Sequence, residues 1–170
     1  MSGLLNSTGA VSGILGTTVG TPATSGRYFH AYKTSGQAIS SATDTHCTFQ
    51  TVIQSDSSFA SSIFTATADD AGDWLFLFQL QYYSPGGSPP ISSPEANIWI
   101  DTGSGYAVII GGYYWRDSSG THDLIHMSTQ AVLTIANGDA IKFYANVTVG
   151  SGSPTIFETE RGTSCTGTKL

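Results

Sequence analysis

Read for its alternation of apolar and polar positions, the chain changes character near Gly26. From Arg27 onward it runs in short period-two stretches separated by Gly, Pro, Ser, Asn and Asp clusters every eight to twelve residues, the pattern of half-buried β-strands. Trp74-Leu75-Phe76-Leu77-Phe78-Gln79-Leu80-Gln81-Tyr82 is the strongest of these. Successive side chains in a strand point to opposite faces. Trp74, Phe76, Phe78, Leu80 and Tyr82 therefore share a face that belongs in a core. Leu75, Leu77, Gln79 and Gln81 share the other, which starts apolar and turns polar, as suits a strand partly covered by a neighbour.

The other predicted strands are Arg27–Lys33, His46–Ile53, Ala96–Ile100, Tyr106–Ile110, Leu124–Met127, Ala131–Ile135, Ala140–Thr148 and Thr163–Leu170. Residues Ser55 to Ser62 read as a loop or a short edge strand. Ser84–Pro90, Asp101–Gly105 and Asp117–Thr121 read as turns, and Asn137-Gly138 is the clearest tight-turn signal. No stretch sustains a 3.6-residue period with caps, so helix is expected to be negligible. The sum is an all-β domain of about ten strands over residues 27–170, with a core containing Trp74, Phe76, Phe78, Leu133, Ile135, Ile141 and Phe143.

Residues 1–26 stand apart. They carry no charged side chain and repeat Ser-Gly-Leu-Leu (2–5) as Ser-Gly-Ile-Leu (12–15). Two readings fit: a floppy leader, or an extended arm that orders when Leu4, Leu5, Val11, Ile14, Leu15 and Val19 find a groove on a partner. The segment lacks the basic n-region of a secretory signal, so export by a cleaved signal is not expected.

Composition narrows the function. In 170 residues there are 23 Ser, 22 Thr and 20 Gly, and only 11% of positions are charged. The formal net charge is −6 with three Lys and three Arg, which leaves no basic stripe to track phosphates. Nucleic-acid and anionic-membrane partners are therefore not expected. The longest uncharged apolar-rich stretch, Tyr106 to Trp115, is too short for a membrane helix. Two distant cysteines, Cys47 and Cys165, are too few for a disulfide scaffold. Buried free thiols and one disulfide both fit.

Candidate chemistry is sparse. His122-Asp123-Leu124-Ile125-His126 resembles a zinc-protease pattern, but that pattern needs a helix; in a strand the two His stand about 13 Å apart. Asp69, Asp70 and Asp73 around Gly72 form either a cation loop or, as the favoured reading, a solvated turn. Glu158 and Glu160 share an exposed face without a pocket, and no nucleophile elbow, phosphate loop or dinucleotide fingerprint occurs. No enzyme activity, metal or cofactor is expected. Tyr113, Tyr114 and Trp115 beside a loop are sugar-contact candidates, with burial in the core as the plainer alternative.

Three segments in order resemble one family. Gly72-Asp73-Trp74-Leu75-Phe76 is similar to its G-x-[YW]-x-F strand. Leu133 to Ile141 resembles its L-x-L-x-x-G-D-x-V hairpin, and Ser164 to Leu170 its closing F-x-G-x-x-[LI] strand, with Cys165 in place of the aromatic. The family is the globular complement C1q/tumour necrosis factor jelly roll. The resemblance implies a ten-strand sandwich that forms a homotrimer and binds or builds rather than catalyses. Leu75, Leu77, Cys165 and Leu170 become trimer-interface candidates. The short neutral arm, in place of the collagen-like stalk of animal members, suggests a virion protein. The leading expectation is a capsid decoration (cement) protein on the capsid exterior, anchored to the major capsid protein by residues 1–26. A receptor-binding fibre tip, carbohydrate-binding or not, and a secreted lectin-like module are the alternatives.

Overall fold

A computed structural model describes residues 26–54, 58–83, 91–113, 124–149, 154–156 and 162–170. Its strands are β1 (Tyr28–Tyr32), β2 (Gln37–Ala38), β3 (Thr45–His46), β4 (Thr51–Gln54), β5 (Phe59–Ala60), β6 (Ile63–Thr65), β7 (Gly72–Tyr83), β8 (Ser92–Asp101), β9 (Tyr106–Tyr113), β10 (Leu124–Ile135), β11 (Ala140–Thr148), β12 (Thr155–Ile156) and β13 (Ser164–Lys169). A single 3-10 turn at Ala68–Asp70 is the one helical element among the described residues. All pairings are antiparallel. One sheet of seven strands runs β4-β1-β13-β7-β10, with β12 and β2 continuing beside the far end of β7. The other, of six, runs β5-β6-β11-β8-β9, with β3 also on β11.

The core lies between the inner faces. On β7 the residues of even number, Trp74, Phe76, Phe78, Leu80 and Tyr82, are all buried, as the alternation predicts. An aromatic cluster joins the sheets: Phe29 stacks on Phe59 at 4.4 Å, Phe64 sits 4.7 Å from Trp74, and Phe78 is 5.3 Å from Phe143. Gly167 pairs with Phe29 on one side and Phe76 on the other. A Cβ at Gly167 would collide with the Phe29 ring, so only glycine lets that ring lie flat across β13.

Three expected boundaries change. The single predicted strand His46–Ile53 is two strands in different sheets, because β3 pairs with β11 and β4 with β1. Residues 47–50 cross the core between them, and the buried Lys33 ammonium ties the crossing by donating to Thr48 O at 2.7 Å and Gln37 Oε1 at 3.1 Å. Leu124–Met127 and Ala131–Ile135 are one strand, β10, whose polar middle faces outward at Ser128 and Gln130. The Leu133–Ile141 segment is not a hairpin within one sheet. Its Asn137-Gly138 turn is a corner that carries the chain from the seven-stranded sheet to the six-stranded one.

The acidic cluster is also corrected. Asp69 and Asp73 are exposed, but Asp70 is fully buried. Its Oδ2 accepts from Ser58 Oγ (2.7 Å), Thr67 N (2.8 Å) and Thr67 Oγ1 (2.6 Å), and its Oδ1 lies 2.6 Å from Arg27 Nε. Trp74 Nε1 donates to Asp70 O at 2.7 Å. The carboxylate thus ties the start of β1 to the β5–β6 hairpin, and the backbone carbonyl of the same residue holds Trp74 of β7. Burial alone would raise its pKa; the hydrogen bonds from Thr67 and Ser58, with the Arg27 charge, outweigh that and hold it below the ordinary value.

Truncating Phe76 to Ala should cost about 3–5 kcal/mol in urea unfolding, as for large buried aromatics; a loss under about 1 kcal/mol would contradict its place in the core. Asp70→Asn should cost about 3 kcal/mol near neutral pH, as when one partner of a buried pair is removed. Because the folded-state pKa is depressed, this stability is complete above the unfolded value of about 4 and is lost as pH falls through the folded one. Urea midpoints should therefore converge for Asp70→Asn and wild type toward acid; an equal gap at every pH would contradict the assignment.

Candidate functional site

The parity that buries the aromatic face of β7 turns Leu75, Leu77, Gln79 and Gln81 outward. Register aligns them into rows across β1, β13, β7 and β10. The first is Tyr28, Thr168, Leu75 and Val132; the second His30, Thr166, Leu77 and Gln130; the third Tyr32, Ser164, Gln79 and Ser128. None of these twelve residues is Asp, Glu, Lys or Arg. Apolar side chains dominate the first row and hydroxyls and amides the third.

Among the described residues this face is open at its apolar end and covered at Gln81 and Ser164. Val132 is 62% exposed, Tyr28 41% and Leu77 38%, with Ile53 on β4 at 49%. Val52 and Leu170 are the other large hydrophobic residues that stand exposed, so among the described residues all six belong to this sheet or to the residue that follows β13. A depression of about 580 Å³ lies in the middle of the face, lined by His30, Leu77, Gln79, Ser128, Ser164 and Thr166. Its lining holds no carboxylate or cationic side chain.

Of the interface candidates drawn from sequence, the structure brings Leu75 and Leu77 together on this face. Leu170 lies exposed just past β13, with its backbone N–H donating to Asp73 O at 2.9 Å. Cys165 does not join them. It is 1% exposed, pairs with Phe78 and Ala31, and points into the core, because its parity on β13 is that of Gly167 rather than Thr166. Sequence reasoning missed Tyr28, Ile53 and Val132; the signal was present in Val132, an aliphatic residue out of phase with the inward Leu133 and Ile135. The arm residues Leu4, Leu5, Val11, Ile14, Leu15 and Val19, and the sugar candidates Tyr114 and Trp115, lie outside the described residues. Tyr113 ends β9, paired with Glu95.

Among the described residues, both cysteines and His46 sit in settings that suppress their charged forms. Both cysteines are free thiols inside the core. Burial pushes Cys47 up to about 12, against a smaller opposing pull from Lys33, and Cys165 well above the ordinary thiol range. Burial lowers His46, against its bond from Nε2 to Ser62 O at 3.0 Å and in concert with the Lys142 charge. His126 is exposed on a strand, and His122 lies outside the described residues. Among the described residues no three His, Cys, Asp or Glu side chains are grouped to hold a metal ion.

Solved structures share this fold. Murine APRIL aligns with a TM-score of 0.64 over 85% of this chain and 99% of that one, at 12% identity. The fold is the tumour necrosis factor/C1q jelly roll. Eiger, a tumour necrosis factor from S. frugiperda, aligns at 0.59 (11% identity, 85% and 91% covered), and the globular domain of zebrafish complement 1qA at 0.58 (14%, 85% and 97%). No family model and no curated protein matches the sequence. Within the jelly roll, the three sequence segments have structural roles: Gly72–Phe76 opens β7, Leu133–Ile141 makes the β10–β11 corner, and Gly167 lies under Phe29.

Iodoacetamide at pH 8 should modify both thiols more than about a hundredfold faster in denaturant than in the folded protein. Fast labelling of either cysteine in the folded state would contradict the buried, protonated placement.

Proposed function

We propose that three copies of this chain assemble through the outer face of the seven-stranded sheet into a non-enzymatic homotrimer that decorates a virion surface as a capsid cement protein. The observation that carries the assembly is the uncharged face centred on Leu75, Leu77, Tyr28 and Val132. Interface cores are depleted of charge, and exposed apolar patches of this kind mark contact sites. The jelly-roll fold and the absence of a convergent catalytic set in the sequence support a structural or binding role.

The virion setting rests on residues 1–26. Their composition is too poor in large apolar residues to form a core and too apolar to gain from staying in water. An extended arm added to a sheet edge of the major capsid protein would satisfy its backbone and bury Leu4, Leu5, Ile14 and Leu15. Three arms on one trimer would multiply weak contacts through effective concentration.

Sedimentation equilibrium at micromolar concentration should give three times the chain mass for the wild type. Leu77→Asp with Val132→Asp should give the monomer mass with an unchanged β-sheet circular dichroism spectrum. A wild-type monomer would overturn the assembly. Deleting residues 2–22 should leave a trimer that no longer binds capsids. Many copies across the head shell are expected; a few copies confined to the tail would overturn the cement reading in favour of a receptor-binding tip.

A further inference from the structure

The outer face of the six-stranded sheet is built differently. Register places His46, Tyr144, Asn97 and Gly111 in one row across β3, β11, β8 and β9, with Lys142 and Trp99 in the row on one side and Asn146 and Glu95 in the row on the other. The aromatic rings form a continuous line. His46 lies 5.5 Å from Tyr144, and Tyr144 stacks on Trp99 at 4.4 Å with planes 30° apart. Lys142, opposite Trp99, reaches over the Tyr106 ring at 4.0 Å. All four aromatic residues are half-buried, whereas Leu77, Ile53 and Val132 of the other sheet are exposed.

Hydrogen-bonding groups flank this line. Asn97 Nδ2 donates to Glu95 Oε2 at 3.0 Å, and Asn146 Nδ2 donates to Asp44 Oδ1 at 2.8 Å. Gly111 is bare backbone beside Asn97, and a Cβ there would strike Asn97 Oδ1. Glycine at this position thus leaves room for the Asn97 carboxamide. One polar atom is left over: Trp99 Nε1 is buried and has no hydrogen-bond partner among the described residues. A cross-strand aromatic ladder by itself stabilises a sheet. It requires neither pinned amides and carboxylates alongside nor a buried indole N–H without an acceptor, which is a costly arrangement for a purely structural tryptophan.

We propose that this face is a saccharide-binding site for a neutral oligosaccharide. Aromatic bodies with polar neighbours suit a ligand that has an apolar C–H face and a rim of hydroxyls. The Tyr144–Trp99 pair supplies the apolar platform. Glu95 and Asn146 supply donors and acceptors for hydroxyls, with Asn97, itself buried, fixing Glu95, and a ligand oxygen that displaces the side chains over Trp99 Nε1 gives it the acceptor it lacks. Charge selects against acidic sugars. Glu95 and Asp44 repel a sialic or uronic carboxylate, while the Lys142 ammonium is engaged over Tyr106. The site shares no residue with the assembly face, and it stands whether or not the chain forms trimers.

The full chain should be applied to a printed array of defined neutral and sialylated oligosaccharides, and the best neutral hit titrated by saturation-transfer NMR and tryptophan fluorescence. Retention of a neutral glycan is expected. Tyr144→Ala should weaken it at least about tenfold. Trp99→Phe, which keeps an aromatic platform without the N–H, and Glu95→Gln, which keeps the shape, should each weaken it several-fold while the protein stays folded, as read by circular dichroism. Leu77→Asp should leave the affinity per chain unchanged. Retention of sialylated glycans alone, no retention of any glycan, or binding indifferent to Trp99→Phe and Glu95→Gln would overturn the proposal.

Discussion

The structure depends on the parity of one strand. With Trp74, Phe76, Phe78, Leu80 and Tyr82 turned inward, β7 supplies the centre of the core and fixes the neighbours it pairs with on both sides. A slip of one residue would send all five large side chains to solvent, so the register is strongly specified. The same parity has no freedom left for Leu75 and Leu77. They must face outward, and through the shared register they bring Tyr28 and Val132 into line with them. An aliphatic outer surface is thus the direct consequence of a well-formed core, and the chain has few charges with which to dilute it.

The two outer surfaces of the sandwich are chemically distinct. One presents three central rows of aliphatic, hydroxyl and amide side chains without charge, bordered by Asp73. The other interleaves half-buried rings with paired amides and carboxylates. Between them, polar contacts hold the chain where it crosses from sheet to sheet. Lys33 secures the β3–β4 crossing, Asp70 the approach to β7, and the Tyr82 phenol, 2.6 Å from Glu95 O and 2.7 Å from Asn146 O, links β7 to both β8 and β11. Each of these groups is buried and partnered, as polar groups in a dry interior must be.

Local pattern carried the long strands, because period-two alternation is a property of the strand itself. Trp74–Tyr82 and Ala140–Thr148 were legible from spacing alone. Pattern failed where the chain changes sheets. Residues 46–53 keep good β-forming composition throughout, yet the pairing partner switches from β11 to β1, and only tertiary bonds from Lys33 and Gln37 show where. Asp70 looked like a turn carboxylate because its partners Ser58 and Arg27 are distant in sequence. Half of the assembly face was legible in Leu75 and Leu77. Val132 carries a sequence signal, being out of phase with Leu133 and Ile135, but only register sets it and Tyr28 beside Leu75 and Leu77, and Cys165 was misplaced because its parity depends on the pairing of β13 with β7.

The central claim is that a second copy of the chain covers the outer face of the seven-stranded sheet. Hydroxyl-radical footprinting across a dilution series, read by mass spectrometry, tests it side chain by side chain. The account predicts that Tyr28, Leu77 and Val132 are protected together at micromolar concentration and become labelled together on dilution, while labelling of Tyr106 on the opposite sheet stays constant. Labelling of Leu77 and Val132 at one unchanging rate at every concentration would contradict it.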